Sequence, residues 1–297
     1  MLKLSLEALE ILDAIARHGS FGRAAEELGR VPSSITYAVR KLEDDLDTLI
    51  FDRSGYRAEL TPTGKVLLEQ GRALLQQADQ LQSQIAQAAK GWELELTIVL
   101  DAILPWRWLQ PHVEAYFRES CPAKLRINEE TLAGSWESLL DGRADLIIGA
   151  TNDPPSGMGI STQPLFNVPF SYCVSPAHPL ASAPEPISDD LLKAHRAIVL
   201  GDSARRLPLR SSGLLSGQDT LVVPSMLAKV DAQIAGLGGG YLANWFAAEH
   251  LREGRLVSRQ LQEPKPPGPT VLAWKSGNRG RALTWWRERL RDVRPPQ

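Results

Sequence analysis

Two cysteines are all that 297 residues contain, and Cys121 and Cys173 lie far apart, outside any CxxC spacing. A disulfide scaffold is thereby excluded, and the pattern fits a reducing cytoplasm with both thiols buried and inert. No apolar run approaches the roughly eighteen residues that a membrane helix needs, so no membrane partner is expected. The opening stretch MLKLSLEALEILDA carries acids inside its apolar pattern and lacks a small-residue cleavage site, which argues against a secretion signal. Bulk charge of one sign is missing too: the formal net charge is −2, neither a nucleic-acid sponge nor an acidic tail. The five histidines (18, 112, 178, 195 and 250) show no metal-ligand spacing. No Ser/His/Asp set or carboxylate pair suggests an enzyme, and no cofactor or metal is expected. The glycine-rich AGLGGGYLA is not GxGxxG and does not link a strand to a helix within a βαβ unit, so it is no dinucleotide fingerprint.

What remains is ordinary globular material, 43% hydrophobic and 23% charged, in a chain long enough for two or three domains. Three textures divide it. Residues 1–62 suggest three short helices and a hairpin-like segment, LIFDRSGYRAELTPTG. Residues 63–90 suggest one long helix without proline. From Trp92 onward, strand-like and helix-like segments alternate between Pro and Gly turns, an α/β pattern.

The first texture carries the sharpest signal. Leu6, Leu9, Leu12, Ile15 and Ala16 share one side of a first helix, which His18-Gly19 ends. Ser20 suits the N-cap of a second helix, Phe21 to Leu28, whose Ala24 and Ala25 permit a close crossing. Gly29 suits the left-handed residue of a tight turn, and Pro32 a first helical position that tolerates a missing N–H. Two short helices joined by a tight turn are the ingredients of a helix-turn-helix. In the following helix Ile35, Val39, Leu42 and Leu46 form one apolar stripe. The other face presents Ser33, Ser34, Thr36, Tyr37, Arg40 and Lys41, side chains of the length that reaches phosphates and base edges. Arg30 precedes that helix, and Arg53 and Arg57 flank Gly55 in the hairpin-like segment, as in a wing lying along a DNA backbone. A helical hairpin buried in some core is the alternative on spacing alone. Over residues 1–66 nine bases face eleven acids, so a basic patch requires spatial sorting, with Glu7, Glu10 and Asp13 on another face.

Thr61-Pro62 suggests a cap and first turn for the long helix. Leu67, Leu74, Leu81 and Ala88 recur at intervals of seven with Gly71, Ala78 and Ile85 between them, a heptad seam that argues for coiled-coil pairing. A long helix packed on its own domain is the competing reading.

Taken together, SFGRAAEELG, SSITYAVRKLEDDL and LIFDRSGYRAELTPTG running into a long helix resemble a LysR-type transcriptional regulator over essentially the whole chain. The resemblance implies a multi-domain α+β and α/β protein: an N-terminal winged helix-turn-helix (1–62), a dimerising linker helix (63–90) and a periplasmic-binding-protein-like α/β effector domain (91–297). The last would split into subdomain I (91–165 and 267–297) and subdomain II (166–266). Also implied are homodimers or homotetramers on an imperfect inverted repeat of double-stranded DNA, a small-molecule effector, RNA polymerase as a partner, and a cytoplasmic, nucleoid-associated location. The family often opens its recognition helix with Ser/Thr-Gln-Pro/Ser-Ala, where the glutamine reads a base. Val31, Pro32, Ser33 and Ser34 stand there instead, so base reading passes to Ser33, Ser34, Thr36, Tyr37 and Arg40. AGLGGGYLA becomes a packing turn before a buried strand, and His178-Pro179 a surface turn.

LELTIVLD, AKLRINEETL and ADLIIGAT with their intervening helices suggest β-α-β-α-β, with a crossing into the second subdomain around Phe166 to Val174. Carried over by position, the effector residues are Asp101 and Ala102, Thr131, Ala150 and Thr151, and Ser225 with Met226 at a helix N-terminus. Asp101 equally suits an N-cap, and Thr131 and Ser225 also have the capping chemistry. A buried carboxylate beside an anionic effector is costly, which favours a neutral, hydroxylated or amine ligand. Trp106, Trp108, Trp136 and Trp245 suit the core better than the cleft, and one of Trp285 and Trp286 suits a subunit contact. The rival from another class is a solute-binding or enzymatic protein, weakened by the absent secretion signal and catalytic set.

Overall fold

A computed structural model describes residues 4–52, 58–151, 153–155 and 157–296. The chain divides into two compact units, Met1–Ala89 and Lys90–Gln297.

In the first unit, local chemistry sets each helix end. Ser5 caps α1 (Leu6–His18) and Ser20 caps α2 (Phe21–Glu27), while Gly19 and Gly29 both turn at φ 61°. Pro32 opens α3 (Pro32–Leu46). Ile35, Val39 and Leu42 are buried against Ile11, Leu12, Ile15, Ala24 and Ala25, with Leu46 at the edge of that core. Each such large side chain contributes about 1.5–3 kcal/mol by leaving water. Strand β1 (Phe51–Asp52) pairs antiparallel with β2 (Glu59–Leu60). The buried Glu43 carboxylate fastens that pair to α3 by accepting from Ile50 N at 2.9 Å and Phe51 N at 3.2 Å.

Thr61 accepts from Gly64 N at 3.0 Å and opens α4 (Pro62–Ala89). A Cβ on Gly64 would lie 2.2 Å from Ile50 O, a backbone atom with no freedom to retreat. Gly64→Ala is therefore expected to destabilise this unit by about 1–3 kcal/mol, read as an earlier loss of helical circular dichroism on heating. Gly71 differs, because its Cβ would meet only the Leu9 side chain, at 2.9 Å. Leu67 and Leu68 also join the unit's own core, so the first turns of α4 pack on α1. The expected seam is thus shorter at its start: Gly71 serves the α1 contact. Further along, Leu74, Leu81 and Ile85 are 45%, 57% and 60% exposed.

The second unit runs β3 (Glu95–Asp101), α5 (Trp106–Arg118), β4 (Lys124–Glu130), α6 (Ala133–Leu140), β5 (Leu146–Thr151) and β6 (Ile160–Val168). Then come β7 (Phe170–Val174), α7 (Asp189–Lys193), β8 (Ala197–Leu200), β9 (Thr220–Val223), α8 (Met226–Ile234), β10 (Gly240–Ala243), α9 (Asn244–Arg252) and β11 (Val257–Arg259). Strand β12 (Gly268–Lys275) and α10 (Arg281–Arg289) close it. One sheet has the order β4-β3-β5-β12-β6, parallel across β4, β3 and β5 and antiparallel where β12 inserts between β5 and β6. The order β10-β7-β11 and the parallel pair β8-β9 form the other sheets. The chain leaves the first sheet at Pro169 and returns at Gly268, so β6 lies wholly in the first sheet.

Trp136 and Trp286 are fully buried and Trp245 is 3% exposed, whereas Trp106 is half-exposed. The Trp285 indole, half-buried beside Trp286, donates to Glu119 at 2.7 Å. His178 is buried, not on a surface turn: its Nδ1 accepts from Leu180 N at 3.1 Å and its ring meets that of His195. The glycines of AGLGGGYLA pack closely, since a Cβ on Gly238 would sit 2.4 Å from Arg196 O and one on Gly240 2.7 Å from Ile198 O. No helix among the described residues is long and apolar enough to cross a membrane.

Candidate functional site

Burying Ile35, Val39 and Leu42 turns the opposite face of α3 outward. Ser33, Tyr37, Arg40 and Lys41 are exposed there, Tyr37 at 70%. Their spacing of four, three and one puts them on one continuous stripe. Ser34 and Thr36 are half-buried and donate to Val31 O and Pro32 O, which caps and braces the first turn. Arg30 is paired with Glu7. Arg53 and Arg57 lie outside the described residues.

Three acids of this unit, Glu7, Asp13 and Glu27, are held by its own cations. Asp13 holds Arg72 at 2.6 Å and Arg17 at 2.8 Å, and Arg17 also reaches Glu27 at 2.6 Å. The Arg17 guanidinium, with the His18 ring next, holds the Glu27 carboxyl at about 2. Among the described residues no acid holds Arg40 or Lys41. On the first three turns of α3 cations and hydroxyls face outward, while Asp44 and Asp45 sit in its last turn and Glu7, Asp13 and Glu27 are paired elsewhere.

The second unit contains a cavity of about 760 Å³, lined from all three of its sheets. Asp101, Thr131, Thr151 and Met226 line it, as their places at strand and helix ends implied. Ala102, Ala150 and Ser225 do not. Ala150 packs against Val99 and Trp136, because the pleat that turns Thr151 to the cavity turns its neighbour to the core. Ala102 is buried in the turn after β3. Ser225 is spent on capping α8, accepting from Ala228 N at 3.2 Å.

Asp101 does not cap α5, whose N-cap is Pro105. Its Oδ1 accepts from Ile103 N at 3.1 Å and its Oδ2 from Ser135 Oγ at 2.8 Å. Burial pushes its carboxyl up to about 7 against the lowering effect of those two bonds.

Thr131 likewise caps nothing: its hydroxyl donates to Gly201 O at 2.7 Å, and its N–H donates to Ser203 Oγ at 2.9 Å. The start of α6 is met instead by Asp202, from the segment after β8, which accepts from Ala133 N at 3.3 Å and Gly134 N at 3.1 Å. One turn on, the buried Glu137 carboxylate accepts from the N–H groups of Arg205, Arg206 and Leu207, and those backbone bonds hold it below the usual range. Close approach requires Gly134, where a Cβ would lie 1.9 Å from Ser203 Oγ. The segment after β8 is thus laced to α6 across the cavity's edge.

The sequence pattern missed Lys229, Lys265 and Arg210, three cations on the cavity wall. Lys229 had a signal: it lies three residues from Met226 on α8, hence on the same face. Lys265 and Arg210 lie in irregular segments where periodicity is silent.

Residues 6–65 match the bacterial regulatory helix-turn-helix proteins of the lysR family, and residues 89–295 match the LysR substrate binding domain. The chain belongs to the LysR family. It is a DNA-binding transcriptional regulator with an effector-binding domain, and its relatives are regulators, not enzymes. It is 38% identical to the uncharacterized HTH-type transcriptional regulator YeeY of Escherichia coli K12, covering 97% of this chain and 94% of that one. Identity to the probable HTH-type transcriptional regulator YhaJ of the same strain is also 38%, over 95% and 94%. Among solved structures, a C206 mutant of Corynebacterium glutamicum OxyR superposes with a TM-score of 0.66 at 19% identity, covering 96% of this chain and 90% of that one. At that identity the likeness concerns the fold. LysR-type regulators bind DNA and small-molecule effectors and oligomerise.

Proposed function

We propose that this LysR-type regulator reads an imperfect inverted repeat through Ser33, Tyr37 and Arg40 of α3, with Lys41 on phosphate. An effector bound in the cavity changes how the regulator holds its DNA. The observation that carries this is the stripe on α3: uncommitted donors and cations outward, a fully apolar face inward. Ser34 and Thr36 contribute through the geometry of the helix start, and Arg30, Arg53 and Arg57 through the backbone of the duplex. The working form is a homodimer or homotetramer joined through α4 at Leu74, Leu81 and Ile85, so two recognition helices meet successive half-sites. It acts in the cytoplasm, nucleoid-associated, in contact with RNA polymerase. The subdomain carrying β3 to β6 and β12 (91–168 and 268–297) and the one between them (169–267) supply the two walls of the effector cleft, with Asp101, Thr131 and Thr151 on one and Met226 on the other. A ligand shifts the regulator only by as much as it binds one arrangement more tightly than the other.

The test mixes the full-length protein with sheared genomic DNA at near-physiological salt and sequences what is retained. A few enriched fragments sharing an inverted repeat are expected. Uniform retention, repeated with metabolite extract present, would sink the reading.

A further inference from the structure

Lys229 is 6% exposed on α8, lines the cavity, and among the described residues has no carboxylate or hydrogen-bond acceptor holding it. A buried ammonium without a partner is costly, and proteins rarely keep one unless something else supplies the counter-charge. Lys265 lines the same cavity, its Nζ lying 3.8 Å over the Phe170 ring and donating to Ser212 Oγ at 2.7 Å. Among the described residues no acid holds Lys265 either, so two ammonium groups share this wall without a counter-ion.

Three of the nearby acids are engaged elsewhere. Asp202 is occupied at the start of α6 and Glu137 by three backbone N–H groups. Asp153 is exposed. Asp101 is held by Ser135 and Ile103, which engage both of its carboxyl oxygens. Burial, with Lys265 next in size, lowers the Lys229 ammonium to about 8. The helix end that could have received an anionic ligand group, that of α6, is already filled by the chain's own Asp202.

We infer that the effector is a small organic anion whose carboxylate or phosphate group binds between Lys229 and Lys265, on the wall that also carries Phe170. The inference rests on the cavity being the effector site, and it reverses the neutral or amine ligand that the sequence favoured. It also explains why a side chain as costly as Lys229 is kept in the cavity wall.

The experiment uses the full-length protein and matched probes: acetate, benzoate and inorganic phosphate, with acetamide and benzamide as uncharged counterparts. Lys229 is acetylated with a low dose of acetic anhydride, and its labelling rate is followed by mass spectrometry against the exposed Lys124 as reference. At least one anion is expected to slow Lys229 labelling about tenfold while Lys124 is unchanged and the amides do nothing. Binding of that anion, read by tryptophan fluorescence, is expected to weaken about tenfold or more in Lys229→Met and to recover in Lys229→Arg. If no anion protects Lys229 up to tens of millimolar, or the amides protect equally, the inference is wrong. The labelling arm needs only the wild-type chain, so misfolding of a variant cannot obscure its result. Retention of genomic fragments is read separately: retention without anion protection removes this assignment alone, and protection without retention leaves it standing while the regulator reading falls.

Discussion

Asp101→Asn is expected to make the effector-binding unit more stable at alkaline pH and to do progressively less as the pH falls. The wild-type carboxyl is raised to about 7 by burial, whereas an unfolded aspartate titrates near its ordinary 3.8. Between those values the folded protein binds the extra proton, so stability is complete below the unfolded pKa and is lost as pH rises through the folded one. Each pH unit in that window costs about 1.4 kcal/mol, so the advantage of the asparagine should grow by roughly 3 kcal/mol between pH 5 and pH 8. Asparagine preserves the geometry, since its oxygen still accepts from Ile103 N and its amide faces Ser135 Oγ. Urea titration followed by tryptophan fluorescence isolates the effect, because all eight tryptophans lie between Trp92 and Trp286. An advantage that does not change with pH would mean that Asp101 is ionised throughout the folded state.

Replacing Tyr37 and Arg40 together with alanine is expected to lower operator affinity at least a hundredfold without unfolding the first unit. Neither side chain belongs to the apolar core around Ile35, Val39 and Leu42. Alanine is also a strong helix former, so the change in stability should stay within about 0.5 kcal/mol. A base-edge contact contributes about 1–3 kcal/mol, and the loss of two such contacts multiplies. The single variants separate the roles. Arg40→Ala should relax sequence preference at one position, whereas Lys41→Ala should weaken binding uniformly across sequences and flatten the salt dependence by about one counterion. Tyr37→Ala should likewise relax sequence preference at one position of each half-site. Unchanged affinity in the double variant, measured on a fragment recovered from the genomic selection, would assign the α3 face to another surface.

The difference between what was legible and what was not follows the range of the interactions. Ser5, Gly19, Ser20, Gly29, Pro32 and Thr61 act on backbone a few residues away, so their roles as caps, turns and helix starts could be taken from the order of residues alone. The stripe of Ile35, Val39 and Leu42 is equally local, and so is its consequence, the outward face of Ser33, Tyr37 and Arg40. The glycines of α4 were less transparent. Gly71 fell on the seven-residue repeat, but its size serves the contact with Leu9, distant in sequence and close in space. In the cleft, Thr131 and Thr151 sat at strand ends and were found, whereas Ala150 was misplaced by one residue of pleat.

By itself, the sequence determined that this chain is a LysR-type regulator, where α3 begins, and which side of that helix faces outward. Periodicity and capping are properties of neighbouring residues and survive in any tertiary setting. Only the tertiary structure decided the character of the effector cavity. Asp202 and Glu137 are engaged by residues 68 to 70 positions away from their bonding partners, and no local pattern announces such a pairing. With those acids engaged and Asp101 held by hydrogen-bond donors, no acid among the described residues holds Lys229 or Lys265 on the cavity wall. Charge in a cavity is a sum over groups that folding brings together, and its sign cannot be taken from any one segment of the chain.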